Sequence, residues 1–169
     1  INNLPDLTIL RKNRIEMVSI ISTHIHGDHV LGIPYVSSAY RVPVYCLEFT
    51  GKVLEKFFGT EAKIIRPWRK VEIGNQFKIT LIPVEHIPGS CHVLVEAGDK
   101  KIYVASDWKL GKHGKVLNED NLGKLREFSG VDLLVSECVH VDKLGFSPDE
   151  EMLLDNFGKL IKKDVCSKL

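Results

Sequence analysis

The amino-acid sequence predicts an α/β fold, and two features of its apolar pattern indicate it. In the first third of the chain, strand-like apolar runs alternate with segments of helical periodicity. Further along, β-branched residues become frequent and helical periodicity is lost, which is typical of consecutive strands. The predicted strands are residues 17–22, 42–46, 77–84, 91–97, 101–105 and 131–136, and the predicted helices are 32–40, 48–58, 118–128 and 147–163.

Turn and cap residues set several of these bounds. Gly98-Asp99-Lys100 separates two predicted strands and favours a hairpin, because glycine tolerates positive φ and aspartate bonds its own backbone. Ser147-Pro148-Asp149-Glu150 is a strong helix start, with serine at the cap and acids near the positive end of the helix dipole. The predicted strand 131–136, with apolar residues at four of its six positions, is expected to be buried.

Composition narrows the class of protein. A chain of 169 residues, 44% apolar and 27% charged, can bury one substantial core, so one domain is the default. A net charge of +1 gives no global attraction to nucleic acid or membrane. Apolar runs are far shorter than a bilayer span, no signal peptide is recognised, and the four cysteines form no Cys-x-x-Cys pairs. We therefore expect a cytoplasmic protein with reduced thiols.

The segment Thr23-His-Ile-His-Gly-Asp-His29 carries the chemistry. It places three histidines and an aspartate within six residues, directly after an apolar strand. Borderline-soft divalent metals favour such ligands, whereas ordinary surface or core histidines would make this clustering costly to desolvate. We expect His24 and His26 to face one ion, and Asp28 and His29 to turn toward a second, with Gly27 supplying the backbone freedom.

This His-x-His-x-Asp-His motif resembles the signature of the metallo-β-lactamase superfamily. The resemblance implies an αββα sandwich, incomplete in this chain, with further ligands at later strand ends. His86, in His86-Ile-Pro-Gly-Ser, and Asp107, after Tyr103-Val-Ala-Ser, stand where the third and fourth motifs of the β-CASP nucleases would place them. His92 competes with His86 but lies inside a predicted strand, so His86 is favoured.

A further match narrows the resemblance. Leu133-Leu-Val-Ser-Glu137-Cys, followed by Leu144-Gly-Phe-Ser-Pro-Asp-Glu150, resembles the acidic motif of β-CASP proteins and the start of their inserted domain, and ribonuclease J is the nearest family. We therefore expect a partial metallo-β-lactamase-like domain over residues 1–145. Residues 146–169 would begin a β-CASP-like region or form a C-terminal helix.

The resemblance implies a nuclease with two divalent metal ions, zinc by default and manganese as its competitor. Single-stranded RNA would be the partner, with no membrane involved and a homo-oligomer left open. Lysines between residues 98 and 115 are a candidate track for the RNA backbone, and a solvated lysine loop explains them equally well. The implied metal ligands are His24, His26 and His86 for one ion, Asp28 and His29 for the other, and Asp107 as a bridge; the implied catalytic residues are Asp28 and Glu137.

The sequence departs from ribonuclease J in several respects. It lacks the first strands before the metal motif and the closing histidines, and Glu137 stands where that family usually has aspartate; a carboxylate that only caps a strand end is the other interpretation. His113 and His140 have no motif behind them and are interpreted as ordinary residues. Two alternatives remain: a hydrolase of a small ester, thioester or lactam, and a truncated relative that binds metal or a partner without catalysis.

Overall fold

The computed structural model describes residues 6–108, 126, 128–139, 142, 144–145 and 150–166, with only the backbone for 150–151 and 162–166. Within these residues, short elements alternate along the chain. The helices are α1 (Thr8–Lys12), α2 (Gly27–Val30), α3 (Ile33–Tyr40), α4 (Glu48–Phe58) and α5 (Glu150–Cys166). The strands are β1 (Ile20–Ile21), β2 (Val44–Cys46), β3 (Ala62–Ile64), β4 (Lys70–Ile73), β5 (Phe77–Pro83), β6 (Cys91–Ala97), β7 (Lys100–Ala105) and β8 (Leu133–Ser136).

The strands form two sheets. The first is parallel, in the order β1-β2-β3. The second has the order β4-β5-β6-β7-β8 and is antiparallel from β4 to β7, with β8 added parallel to β7. In the parallel sheet all strand ends of one kind share an edge, so the loops that follow β1, β2 and β3 lie side by side.

Two apolar clusters hold the layers together. One lies between the sheets and joins residues that flank the parallel strands, such as Leu47 and Ile65, to Ile79, Leu81 and Val93 of the second sheet. The other lies between the parallel sheet and its helices, with Val30, Ile33, Val44, Cys46 and Leu54 buried. Helices on sheet on sheet is the layering expected for part of an αββα sandwich, and the predicted α/β fold is confirmed.

Several predicted elements are found with close bounds. Helix α4 and strand β6 have the predicted ends, and α3, β5 and β7 differ from prediction by one residue at one end. The β6–β7 hairpin turns at Gly98, whose φ of +61° is the left-handed conformation that glycine adopts without strain. Here the local pattern and the tertiary structure agree.

Two strand predictions need correction. The strand assigned within the predicted strand 17–22 is only Ile20–Ile21. On its N-terminal side the neighbouring strand begins after Pro43, which has no N–H to donate. The predicted strand 131–136 forms as Leu133–Ser136 but is exposed rather than buried. It is the edge strand of the second sheet, and within the described part of the chain its apolar side chains face solvent.

The chain divides into two compact units, one made of residues 1–110 and 114–137 and the other of residues 111–113 and 138–169. The second contains α5, which agrees with the predicted C-terminal helix from Glu150 onward. Residues 147–149 and nearly all of the predicted helix 118–128 lie outside the described residues. A domain boundary at residue 145 stays a prediction. Among the described helices, none has the length and apolar character needed to cross a bilayer.

Candidate metal centre

The loop that follows β1 is joined to both sheets. The Ser22 amide donates to the Tyr45 carbonyl at 2.9 Å, which continues the parallel ladder. One residue later, the Thr23 carbonyl accepts a hydrogen bond from the Cys91 amide at 3.0 Å. The histidine-rich loop therefore leaves the first sheet at the point where β6 of the second sheet begins.

Side chains from three separate strand exits converge at this point. His86 Nε2 lies 3.0 Å from His26 Nδ1, which lies 3.2 Å from His24 Nε2. Asp107 Oδ2 lies 3.4 Å from His86 Nε2 and 3.6 Å from His24 Nε2. The ligand atoms of these four side chains all lie within 4.8 Å of one another, so the group is able to hold a metal ion.

The second oxygen of Asp107 faces a different imidazole. Oδ1 lies 3.3 Å from His29 Nε2, and that nitrogen lies 3.5 Å from Oδ2 of Asp28. The side chain of Asp28 is 79% exposed, against 22% for Asp107. The carboxylate of Asp107 therefore lies between a closed set of histidines and a second, more open pair.

The chemistry of the closed set fits a divalent cation. His24 is fully buried, and burial, followed by the positive charge that His29 would carry, lowers its pKa to about 4. The imidazole is therefore neutral near pH 7, the form that binds metals. Three imidazoles with one carboxylate make a donor set suited to zinc, copper, iron or manganese rather than calcium.

Contacts behind these side chains hold all three strand exits. Thr23 Oγ1 and Ser106 Oγ lie 3.0 Å apart, which links the residue before His24 to the residue before Asp107. The His86 loop is held by Gly89, whose carbonyl accepts from Thr50 Oγ1 at 3.0 Å. Gly89 has φ of +81°, and a Cβ there would lie 2.8 Å from Thr50 Oγ1, so the position requires glycine.

The rival histidine lies in a different environment. His92 is buried within β6, and its Nδ1 lies 3.0 Å from the Tyr103 hydroxyl. Its ring meets Trp108 edge to face at a centroid distance of 6.3 Å. Burial lowers the pKa of His92 to about 4, an effect that the backbone of Ser106 opposes. His92 is not in the group of four, whereas His86 is.

Comparison with known proteins identifies the family. The sequence pattern of the metallo-beta-lactamase superfamily matches residues 3–151. The chain belongs to this superfamily. The resemblance that the histidine motif predicts is thereby confirmed.

Among sequence relatives, proteins named ribonuclease J recur. Those of Sinorhizobium meliloti and Mycoplasma pneumoniae are each 26% identical over 94% and 95% of this chain. That of Helicobacter pylori is 27% identical over 95%. This chain spans 30%, 30% and 25% of the length of these three proteins.

Solved structures share the superfamily fold. A protein of unknown function from Enterococcus faecalis aligns with 95% of this chain and 48% of its own, at a TM-score of 0.65 and 20% identity. A metallo-beta-lactamase of Novosphingobium pentaromativorans aligns with 77% of this chain and 60% of its own length. The TM-score of this alignment is 0.55 and the sequence identity is 19%. At such identities the likeness shows the fold alone.

Glu137 directly follows β8 and contacts the residue next to Asp107. Its Oε1 accepts a hydrogen bond from the backbone amide of Trp108 at 3.3 Å, and its own amide donates to the Ala105 carbonyl, also at 3.3 Å. Both contacts hold the segment that carries Asp107. This carboxylate therefore caps a strand end, and its catalytic role stays a prediction.

One expectation about the surroundings of the site is corrected, and the two described lysines of the 98–115 stretch can be located. Gly27 begins α2 with helical rather than positive φ, so the turn from His26 to Asp28 needs no glycine conformation. Lys100 and Lys101 begin β7, the end opposite Asp107, and Lys100 Nζ bonds Asp132 Oδ1 at 2.9 Å. Six residues of strand put about 20 Å between them and Asp107.

The sequence interpretation missed the residues that hold the site. Thr50, Gly89 and Ser106 lie beside the ligands in space but belong to no metal-binding motif. The Pro-Gly-Ser run after His86 signals a turn, yet nothing in it names Thr50 as its partner. Lys109, Lys112, Lys115, His113 and His140 lie outside the described residues.

Proposed function

We propose that the protein is a metal-dependent phosphodiesterase that cleaves RNA with water, of the ribonuclease J kind within the β-CASP branch. One observation carries the proposal: His24, His26, His86 and Asp107 converge from three strand exits into a group able to hold a metal ion. The relatives named ribonuclease J match over more than nine tenths of the chain and direct the choice of substrate toward RNA. Because the chain spans 30% of the first two relatives, the whole activity is a proposal.

The proposed cofactors are two divalent metal ions, with zinc preferred and manganese as the competitor. His24, His26 and His86 would hold one ion, and Asp28 with His29 the other. Asp107 would serve both, which its position supports, since Oδ2 faces His86 and Oδ1 faces His29. A bound divalent cation would supply Lewis-acid stabilisation of phosphate charge and lower the pKa of water.

Three side chains would have separate roles in the proposed reaction. His24, neutral near pH 7 and fully buried, would anchor the ligand set. Asp28, exposed beside His29, would accept a proton from the attacking water. The water oxygen would bond to phosphorus as the P–O bond to the leaving nucleotide breaks, and the leaving oxygen would take a proton from solvent. Glu137 would act on substrate as well as hold the Trp108 amide.

The experiment is cleavage of a labelled, 5′-monophosphorylated single-stranded RNA by the protein and by two variants, His26→Ala and Asp107→Ala. Each variant removes a member of the ligand group, so we expect a loss of at least a hundredfold in rate. Lys78→Ala is the matched control, since Lys78 is exposed at the far end of β5 from His86. Equal cleavage by the protein and both ligand variants would remove the proposal.

The same preparation separates the rival substrate class. A hydrolase of small esters, thioesters or lactams would turn over a small chromogenic ester and show no salt-sensitive RNA binding. A relative without catalysis would bind metal and cleave neither substrate. A cytoplasmic location and a homo-oligomer stay predictions.

A further inference from the structure

The turn between β3 and β4 carries two exposed arginines in the sequence Arg66-Pro67-Trp68-Arg69-Lys70. It is a constrained turn: the Arg69 amide donates to the Arg66 carbonyl at 3.2 Å, and the Trp68 amide donates to the Leu81 carbonyl at 2.9 Å. Trp68 adopts φ of +64°, which a tryptophan rarely holds without such support. The two guanidinium groups are therefore carried on a fixed backbone.

The turn lies on the same edge of the fold as the metal group. It follows β3, and the loop of His24 to His29 follows β1, in a sheet where β1, β2 and β3 are parallel. Two strand spacings, about 10 Å, separate these exits. The turn is hydrogen-bonded to Leu81, which lies near the end of β5. His86 follows five residues after Leu81, in the loop that leaves this strand.

The two arginines of this turn differ from its lysine in their ion pairing. Within the described part of the chain, Arg66 and Arg69 have no carboxylate at ion-pairing distance, whereas Lys70 Nζ lies 2.6 Å from Glu96 Oε2. Lys100, from the lysine stretch that the sequence first suggested, is paired with Asp132 and lies at the opposite end of its strand. Arg66 and Arg69 are therefore the better-placed cations for an anion at the metal group.

We propose that Arg66 and Arg69 bind the phosphodiester backbone of the RNA next to the scissile phosphate, an inference that rests on the proposed function. A guanidinium is planar, always charged and able to donate two parallel hydrogen bonds to one phosphate. At about 10 Å from the β1 exit, the turn would meet a phosphate one or two nucleotides along the strand. The contact reads the backbone and carries no base preference.

The test is the affinity of the protein for a fluorescent single-stranded RNA, measured by anisotropy in EDTA so that no cleavage occurs. Arg66→Gln with Arg69→Gln is expected to weaken binding about tenfold. Two lost phosphate contacts should also lower the slope of log affinity against log salt by about 1.4. Arg66→Lys with Arg69→Lys keeps the positive charge but loses the paired hydrogen bonds of the guanidinium. Its RNA affinity should lie between that of the unmodified protein and that of the Arg-to-Gln pair. The control, Lys78→Gln with Lys101→Gln, removes two charges at the other end of the second sheet and should bind as the unmodified protein does.

Three results of the binding assay would overturn this assignment: unchanged affinity and slope in the Arg-to-Gln pair, an equal loss in the control pair, or no RNA binding by the unmodified protein. A cleavage assay with metal separates the two proposals. If the unmodified protein binds RNA through the arginines but does not cleave it, the nuclease proposal alone fails. If it cleaves RNA and the Arg-to-Gln pair has the same KM, the arginine assignment alone fails; we expect a raised KM with kcat unchanged.

Discussion

His86 Nε2 lies 3.4 Å from Asp107 Oδ2, although the two residues follow different strands of the second sheet. The β6 strand lies between β5 and β7, and its start beside Pro83 brings the β5 exit near the β7 exit. The histidine loop reaches the same place because the Cys91 amide at the head of β6 bonds the Thr23 carbonyl. The register of β6 thus determines which side chains can share a cation.

Gly89→Ala is expected to displace the His86 loop. An added Cβ would lie 2.8 Å from Thr50 Oγ1 and 3.1 Å from Phe49 Cβ, at a φ of +81°. We expect a loss of about 2 kcal/mol in the free energy of unfolding, measured with urea, together with weaker metal binding.

Gly98→Ala is the matched control for that variant. Gly98 also has positive φ, at +61°, but its Cβ would meet nothing within 4 Å among the described residues. It lies in the β6–β7 turn, away from the ligands. The free energy of unfolding of this variant should fall by about 1 kcal/mol, and its metal affinity should not change. An equal loss of metal affinity in Gly89→Ala and Gly98→Ala would refute the steric explanation.

Glu137 allows its two roles to be separated. Glu137→Ala removes the acceptor of the Trp108 amide and should lower both metal affinity and kcat, by roughly tenfold to a hundredfold. Glu137→Gln keeps an oxygen acceptor, so it should retain metal affinity and lose kcat alone if the carboxylate also acts on substrate. A kcat for Glu137→Gln equal to that of the unmodified protein would leave only the capping role.

His92 should make stability depend on pH. Its pKa falls from 6.5 to about 4 on folding, so between these values the unfolded chain binds a proton that the folded chain does not. Stability contributed by neutral His92 is therefore full above about pH 6.5 and is lost as the pH falls toward about 4. By about pH 5 the free energy of unfolding should have fallen by about 2 kcal/mol from this cause.

Urea unfolding of the metal-free protein and of His92→Gln at about pH 7 and about pH 5 measures this contribution. The buried His24 has a lowered pKa as well and contributes to the slope in both proteins, so the difference between the two slopes reports His92 alone. Parallel slopes would show that His92 titrates normally in the folded chain.

The local sequence was enough to predict the elements whose signals are local. The helical period of α4, the hairpin at Gly98 and the metal motif after β1 are all read within a few residues. Strands β3 and β4 were missed because Ala62–Ile64 and Lys70–Ile73 are too short to show a period. Gly74 and Asn75, both at positive φ between β4 and β5, were a turn signal that the interpretation did not use.

Long-range features could not be predicted from the chain alone. Whether Lys100 lies near Asp107 depends on strand direction, which places them at opposite ends of β7. Burial of β8 was inferred from its apolar run, but burial depends on which layers cover a strand rather than on its composition. The positions of Thr50, Ser106 and Arg66 relative to the ligands likewise follow from packing between distant segments.

The most direct test of the account is the metal content of the purified protein beside that of His86→Ala and His92→Gln, with folding checked by circular dichroism. Convergence of three strand exits on one cation predicts that the protein and His92→Gln retain at least one tightly bound divalent ion, and that His86→Ala loses it. Equal metal retention by His86→Ala and the unmodified protein would contradict the account.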